Sequence, residues 1–280
     1  MNLQLLAKSA SQLFSLPEIC IKLQDLIYNP DSSMSDIAQL ISVDPSLSAR
    51  LLKIANSSFY SFPSQIDSLS RAITLIGTAD LYSLALATST PEAFGKLENN
   101  KHINMHRFWR HSVNTGITSR ILADELNFRH SEGFFLAGLF HNLGKLVVLE
   151  QMPDTYLEVK GKLCAEKAPW VIEREVLDYT YADIGEALLK CWNMPSNLLD
   201  MVGNQHKPES AMDPTFSAII HIASRAISHI EYHEEIGYDY LGSIKPEAMS
   251  LTNLTEDQLA EAVKGAEASS QEMMANMNLA

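Results

Sequence analysis

Apolar residues recur along this chain at the spacing of amphipathic helices, three or four positions apart, in nearly every segment. No strong run of alternating apolar and polar residues with hairpin turns interrupts them. Such alternation is the pattern of half-buried β-strands. The periodicity therefore predicts an all-α protein, a multi-helical bundle with an N-terminal helical lobe packed against it.

Helix-capping residues divide the first hundred positions into short helices. Ser33 begins a capping box, and Asp44 is an N-cap residue followed directly by proline, which favours the first position of a helix. Ser68 opens a further helix that ends at Gly77, a residue type common at helix C-termini. The helices expected here cover residues 36–41, 46–55 and 68–76.

The helical pattern weakens between Thr88 and Lys101, which predicts a linker or lobe boundary. We therefore divide the chain into an N-terminal helical lobe, a second lobe that carries the candidate site, and a C-terminal helix with a frayed tail, over residues 1–95, 96–240 and 241–280. The C-terminal helix opens with a capping box at Thr255 and extends to about Ala268. The helices expected in the second lobe cover residues 106–126, 132–152, 156–166, 169–179, 182–191, 195–204 and 215–230.

The segment 134–149, within the helix expected over 132–152, is apolar on every side except for His141, Asn142 and Lys145. These residues share one face if the helix is continuous, because positions three and four apart are neighbours. A helix this apolar belongs in the interior, where each unpaired polar group costs roughly 1–7 kcal/mol. The polar stripe is therefore either a satisfied internal network or the floor of a site.

Bulk composition excludes several classes of function. The 280 residues are 46% hydrophobic and 20% charged, which is typical of a soluble globular protein. A net charge of −13 argues against a nucleic-acid partner. We find no uninterrupted apolar run of about 20 residues and no secretory signal, so no membrane association is expected. The three cysteines have no zinc or redox spacing and indicate a cytoplasmic protein with reduced thiols.

Four histidines, His111, His141, His206 and His221, fall on successive predicted helices and could converge in the bundle core. Neutral imidazole is a suitable ligand for Zn, Fe or Ni. Hydrogen-bonded structural histidines explain the same pattern, and spacing alone favours them.

The residues from Leu139 to Lys145 resemble the signature helix of the HD superfamily of metal-dependent phosphohydrolases. A second resemblance, over about residues 16–230, is to the HDOD domain, an HD-related output domain of bacterial signalling proteins. The segments that carry it are Leu16-Pro17, 36–41, 44–47, 51–60, 72–77 and 188–195. It implies an HD-like helical fold and, with no further domain attached, a stand-alone signalling protein.

The resemblance implies a degenerate pocket at eight positions: His111, His141, Asn142, Lys145, Tyr181, Gln205, His206 and Ser224. Asn142 and Ser224 stand where the catalytic relatives carry aspartates, and Tyr181 stands where they carry a histidine. The implied ligand set therefore keeps three histidines and loses every carboxylate.

Two-metal hydrolysis needs anionic ligands that hold both cations and activate a water. The remaining His111, His141 and His206 could hold a single ion such as Zn, Fe, Ni or Mn with an open position. Apart from that ion, the resemblance implies no cofactor.

We therefore expect a non-catalytic regulatory or scaffolding module that contacts signalling proteins through its helical lobes. The first alternative is a single-metal phosphohydrolase of nucleotides or other phosphate esters, with Lys145 contacting the phosphate. The second alternative is a sensor in which a small anionic ligand reaches Lys145 and a metal held by the three histidines.

Overall fold

The structure, a computed structural model, describes residues 2–279. These residues form α-helices joined by turns and short 3₁₀ segments. Across that range no β-strand occurs, and an isolated bridge pairs Cys164 with Lys167. The predicted all-α class is confirmed.

The starts of the first helices follow from their capping residues. The six helices are α1 (Leu3–Leu13), α2 (Glu18–Tyr28), α3 (Met34–Ser42), α4 (Pro45–Ala55), α5 (Leu69–Ile76) and α6 (Thr78–Ala93). Ser33 and Asp36 form the expected capping box of α3. The Asp44 carboxylate accepts hydrogen bonds from the N–H groups of Ser46 and Leu47 at the start of α4. The capping signals thus located both helix starts.

Helix α6 extends into the segment where a linker was expected, so that expectation is wrong for residues 88–93. Thr88, Ser89 and Thr90 are buried within it. The hydroxyls of Thr88 and Thr90 donate to carbonyl oxygens of the preceding turn, which lets polar residues lie in the interior. Tertiary burial here overrides weak local periodicity. The lobe boundary itself stays a prediction.

The second lobe is built around a long central helix, α7, which packs against α8 and α14. Its helices are α7 (Met105–Glu125), α8 (Glu132–Phe140), α9 (Leu143–Gln151), α10 (Pro153–Lys162), α11 (Pro169–Leu177), α12 (Tyr181–Cys191), α13 (Ser196–Gly203) and α14 (Pro214–Ile236). Helix α14 ends at Ile236, beyond the expected end at residue 230. Its extra turns bring Glu231 and Tyr232 to the candidate site.

The apolar helix expected over residues 132–152 is two helices, α8 and α9, separated at His141 and Asn142. Asn142 has φ −121° and ψ 14°, outside the helical region. The expectation that His141 and Lys145 share one continuous helical face is therefore wrong. The expected burial is correct, since Phe135, Phe140 and their apolar neighbours have almost no exposed surface.

The same stretch bears on the expectation that no segment could cross a membrane. By length and composition alone, Glu132–Gln151 is long and apolar enough to cross a membrane. However, 83% of its most apolar 18-residue window is buried inside the protein. Helices α5 and α6 reach that length and apolarity only when taken together, and the chain bends by 114° between them. The burial of Glu132–Gln151 is that of a core helix.

An aromatic cluster joins the two lobes. Phe14 and Phe94 stack with their ring centroids 4.3 Å apart, and Phe94 packs edge-on against Trp109 and Trp192. The indole N–H of Trp192 donates to the carbonyl oxygen of Phe14 at 3.0 Å. Helix α1 accordingly packs against α12 and α9 of the second lobe. The apolar core is continuous across both lobes.

The chain ends in α15 (Pro246–Thr252) and α16 (Glu256–Asn276). The capping box predicted at Thr255 is present. The expected frayed tail is instead helical as far as Asn276, because Met273, Met274 and Met277 are buried. Helix α16 packs along α7 and also touches α4.

Candidate functional site

A cavity of about 290 Å³ lies in the second lobe, between α7, α9, α11, α12 and α14. Its wall contains all eight positions that the sequence assigned to a remnant pocket: His111, His141, Asn142, Lys145, Tyr181, Gln205, His206 and Ser224. Their proposed roles stay predictions, but the structure brings the side chains together. The contacts of these side chains show that His111 and His141 form a pair, whereas His206 and Gln205 are hydrogen-bonded to other groups.

Two glycines bring α7 and α8 close enough for His111 and His141 to meet. A Cβ atom on Gly138 would lie 2.6 Å from the Cα atom of Gly116, so neither position has room for a side chain. The Nε2 atoms of His111 and His141 consequently lie 3.3 Å apart. The backbone of α7 thus fills the space beside Gly138.

Hydrogen bonding fixes the protonation of His141. Its Nδ1 lies 2.6 Å from the carbonyl oxygen of Gly138, so Nδ1 carries a proton and donates it. Burial, and secondarily the charge of His111, lowers the pKa of His141 to about 3. A neutral ring with its proton on Nδ1 presents a lone pair on Nε2, which therefore accepts a hydrogen bond from His111 Nε2.

The other side of the His111 ring faces Glu231, a residue that the sequence analysis missed. The Nδ1 atom lies 3.4 Å from Glu231 Oε2, an ion-pair distance without good hydrogen-bond angles. Burial acts to raise the pKa of Glu231, but the contact with His111 and the charges of His111 and Arg110 lower it overall. The carboxylate is therefore ionised at neutral pH and lies against Nδ1 of His111.

Glu231 is a carboxylate of the site that lies outside the eight positions implied by the resemblance. It lies seven residues after Ser224 on α14, which places it on the same face two turns later. That spacing was the signal available in the sequence. Its position is nevertheless behind His111 rather than beside the Nε2 atoms, so it orients the ring and does not join a ligand set.

His206 does not join the pair formed by the other two histidines. Its Nδ1 accepts a hydrogen bond from Arg225 Nη2 at 3.1 Å, and its ring stacks on Trp170 with centroids 4.9 Å apart. Burial and the charge of Arg225 hold the pKa of His206 well below its ordinary value. The ring is thus neutral, and its Nδ1 lone pair is already used.

Gln205 and His221 have structural roles in this arrangement. The Gln205 side-chain amide donates to the carbonyl oxygens of His141 and Val202, at 2.7 and 3.0 Å. His221 Nδ1 donates to the Gln205 carbonyl oxygen, and its Nε2 accepts from the Lys245 N–H. Both side chains hold loops around the cavity in place.

Lys145 and Tyr181 both line the cavity, near the point where α9 and α12 approach closely. A Cβ atom on Gly144 would overlap the carbonyl oxygen of Tyr181, so the two helices meet backbone to backbone. The Tyr181 N–H donates to Glu173 Oε2 at 2.8 Å, and burial raises the pKa of that carboxyl to about 7. Burial also lowers the pKa of Lys145.

The donor atoms at His111, His141 and His206 can be compared with what the expected metal ion would need. Two Nε2 atoms 3.3 Å apart, backed by a carboxylate and a carbonyl group, suit two ligands of one ion. His206 does not supply a ready third ligand, because the hydrogen bond from Arg225 to its Nδ1 leaves the proton of the neutral ring on Nε2. Within residues 2–279, no three His, Cys, Asp or Glu side chains form a group that could hold a metal ion. The donors present do not fit a hydrolytic metal centre.

Comparison with known proteins places this architecture in a family. The model of the HDOD domain matches residues 13–208. A protein of Treponema pallidum, described as uncharacterized, is 28% identical over 197 residues, covering 68% of this chain and 37% of that protein. The chain therefore spans a little over a third of the length of this curated relative.

Two crystal structures share the fold. A protein of Shewanella amazonensis called "Putative phosphohydrolase" is 23% identical and superposes with a TM-score of 0.72, over 98% of both chains. A protein of Marinobacter aquaeolei called "Putative signal transduction protein" is 21% identical with a TM-score of 0.69. That match covers 94% of this chain and 59% of the other. At these identities the likeness establishes the fold.

Proposed function

The chain belongs to the HDOD domain family, and we propose that it is a non-catalytic regulatory module of bacterial signal transduction. In this proposal its helical lobes contact other signalling proteins in the cytoplasm. The description of the Marinobacter neighbour as a signal transduction protein agrees with such a role.

The observation that carries the proposal is that the histidines expected to bind a metal are hydrogen-bonded to other side chains of the protein instead. His141 accepts from His111, and the hydrogen bond from Arg225 to Nδ1 of His206 leaves the proton of that neutral ring on Nε2. No carboxylate oxygen of the described residues lies beside the two Nε2 atoms, since Glu231 contacts His111 from behind. A two-metal hydrolase needs anionic ligands at that place.

A single-metal phosphohydrolase is the second candidate. The geometry of His111 and His141 favours it, because each ring is oriented by a partner on Nδ1, as metal-binding histidines usually are. The name of the Shewanella neighbour points to the same chemistry for that protein.

Metal content and hydrolysis, measured together, test the proposal. The purified protein is analysed for Zn, Fe, Ni and Mn per chain, then assayed with phosphomonoesters and phosphodiesters in the presence of each metal. We expect no stoichiometric metal and no hydrolysis above that of the His141→Ala variant. About one metal per chain that is lost in His111→Ala, together with hydrolysis that His141→Ala abolishes, would establish the enzyme instead.

Partner contacts can be tested on the N-terminal lobe. Val43 is an apolar residue with 76% of its surface exposed, so Val43→Asp changes the lobe surface without disturbing the core. We expect Val43→Asp to weaken binding to a signalling partner and His141→Ala to leave that binding intact. The reverse ranking would place the partner contact at the cavity.

A further inference from the structure

Two cations in the cavity wall have no acidic partner. Arg225 is 2% exposed, and Lys145 is half-buried. Among residues 2–279, no carboxylate oxygen lies within 4.0 Å of a side-chain nitrogen of either residue. A buried charge is costly without a counter-charge. Both cations line the same cavity.

The neighbours of Arg225 are neutral. Its Nη1 donates to the Ser224 hydroxyl at 3.2 Å and its Nη2 donates to His206. The guanidinium lies over the Trp170 ring, 4.3 Å from the centroid, and its Nε is buried without an acceptor. Burial lowers the pKa of Arg225 to about 9, which leaves it charged at neutral pH. These contacts position the guanidinium but do not neutralise it.

Lys145 is also without a counter-charge. Its Nζ lies 5.9 Å from the centroid of the Tyr232 ring, a weak cation–π contact. Glu173 lies on the same cavity wall, but it is only partly ionised near neutral pH because its pKa is raised to about 7. The ammonium group therefore gains little compensation from the protein.

The other cations of the cavity wall are either ion-paired or exposed to solvent. Arg107 forms an ion pair with Glu235 at 2.7 Å, and Lys160 donates to the carbonyl oxygen of His102 at 3.1 Å. Lys145 and Arg225 thus give the cavity a local positive charge in a chain whose net charge is −13. An anion that entered the cavity would restore neutrality through charge-assisted hydrogen bonds.

We propose that this cavity binds a small molecule through a phosphate or carboxylate group, held directly by Lys145 and Arg225 without a metal ion. The inference rests on the proposed non-catalytic function, since fixed protein cations take the part that metal ions play in a hydrolase. A volume of about 290 Å³ suits a small metabolite, at the lower end of small-molecule sites. The aromatic walls at Trp170 and Tyr232 would cover the uncharged part of the ligand.

Calorimetric titration in the presence of EDTA tests the inference, with inorganic phosphate in one arm and succinate in the other. We expect wild-type protein to bind at least one probe at one site per chain. Binding of phosphate alone assigns a phosphate group, binding of succinate alone assigns a carboxylate, and binding of both supports the shared chemistry. Absence of binding in both arms, or binding that requires added Zn or Mn, would overturn the inference.

The variant Lys145→Met identifies the site, and Lys264→Met is the matched control because Lys264 lies on the exposed surface of α16. We expect Lys145→Met to weaken binding at least tenfold and the control to bind as wild type does. Without ligand, Lys145→Met should melt at the same temperature as wild type or higher, because an uncompensated cation has been removed. Unchanged affinity in Lys145→Met would place the anion elsewhere.

Arg225→Gln is a second variant, and Lys145→Met alone decides the question if Arg225→Gln does not fold. The hydrolysis of p-nitrophenyl phosphate is followed in the same samples. Binding without hydrolysis supports both proposals, whereas hydrolysis above the His141→Ala background overturns the non-catalytic function and leaves the anion site standing. If the protein shows neither binding nor hydrolysis, the anion site is overturned and the non-catalytic function is not.

Discussion

The N-terminal lobe and the second lobe place their polar side chains differently. In α4, the polar Asp44 lies at the helix start, where it caps two N–H groups, and Leu47, Leu51 and Ile54 fill the interior. In α7, by contrast, polar residues from His111 to Ser119 are buried along the middle of the helix.

Those buried polar residues of α7 are of two kinds. Thr115 and Ser119 donate to carbonyl oxygens of their own helix, at 2.9 and 2.8 Å, and are thereby satisfied locally. His111 finds its partners on α14 and at the end of α8. The comparison shows that Asp44 of the first lobe defines a helix end, whereas His111 of the second lobe defines a contact between helices. The buried Thr88 and Thr90 of α6 are satisfied on their own helix, as Thr115 and Ser119 are. Substitutions should therefore affect the two lobes differently.

The largest effect is expected where the second lobe depends on backbone contact. In Gly144→Ala the new methyl group would overlap the Tyr181 carbonyl oxygen and lie 2.9 Å from the Gly185 nitrogen. Because both of these are backbone atoms, α9 or α12 must shift to make room. We therefore expect a loss of more than about 3 kcal/mol in the free energy of unfolding. Chemical denaturation measures it. In the control Gly161→Ala the methyl group meets no atom within 4 Å, and a gain of up to about 1 kcal/mol is expected. Equal stabilities would show that α9 and α12 can separate at little cost.

The next effect is a dependence on pH that arises from the cavity. The pKa of Glu173 is about 7 in the folded protein and 4.5 when unperturbed. Between these values the folded state holds more protons than the unfolded state, so this group makes the protein less stable as pH rises. The glutamine of Glu173→Gln does not ionise, so the variant lacks this loss of stability with rising pH.

Unfolding free energies of wild type and Glu173→Gln at several pH values isolate this contribution. We expect the variant to gain on the order of 3 kcal/mol relative to wild type between pH 4.5 and pH 8, with most of the gain below pH 7. A difference that does not change with pH would mean that Glu173 is fully ionised in the cavity, and would weaken the proposed excess of positive charge.

A capping residue should have a smaller effect, confined to the first lobe. Asp44→Ala removes the acceptor for two N–H groups of α4, so we expect a loss of about 1 kcal/mol. Asp31→Ala is the control, since that exposed side chain caps no helix. Thermal unfolding measures both variants, and phosphate binding should be unchanged in each. A loss of binding in Asp44→Ala would show that the first lobe shapes the cavity.

How well the sequence predicted the structure differs between the lobes for the same physical reason. Ser33 and Asp44 act on N–H groups two or three residues away, so local sequence was sufficient to place α3 and α4. The eight cavity positions came from a family resemblance, which carries tertiary information that local patterns lack. The break at Asn142 was missed because the residues around it are apolar on both sides.

Arg225 and Glu231 were not recognised, although the sequence held a signal for each. Arg225 is a charged residue in a long apolar run, where a helix predicted to be buried leaves it no access to water. The sequence could not show that its partners would be His206 and Trp170, because these lie on other elements whose approach is set by packing. The lone cation was therefore detectable, but the missing counter-charge was not.

Helix α16 lies against both lobes, and its contact with the first should have the smallest effect. Glu272 accepts hydrogen bonds from the N–H and the hydroxyl of Ser58, which follows α4. The contact is exposed, so Glu272→Ala should reduce the unfolding free energy by about 1 kcal/mol or less. In the control Glu261→Ala, loss of the exposed pair with Lys264 should leave stability within about 0.5 kcal/mol of wild type.

Hydrogen exchange in Glu272→Ala would locate the change. Faster exchange at Ser58 and its neighbours, with unchanged exchange in α7, would mean that this contact ties α16 to the first lobe alone. Faster exchange in α7 as well would mean that α16 couples the two lobes, and that the polar residues buried in α7 depend on a surface contact of the first lobe.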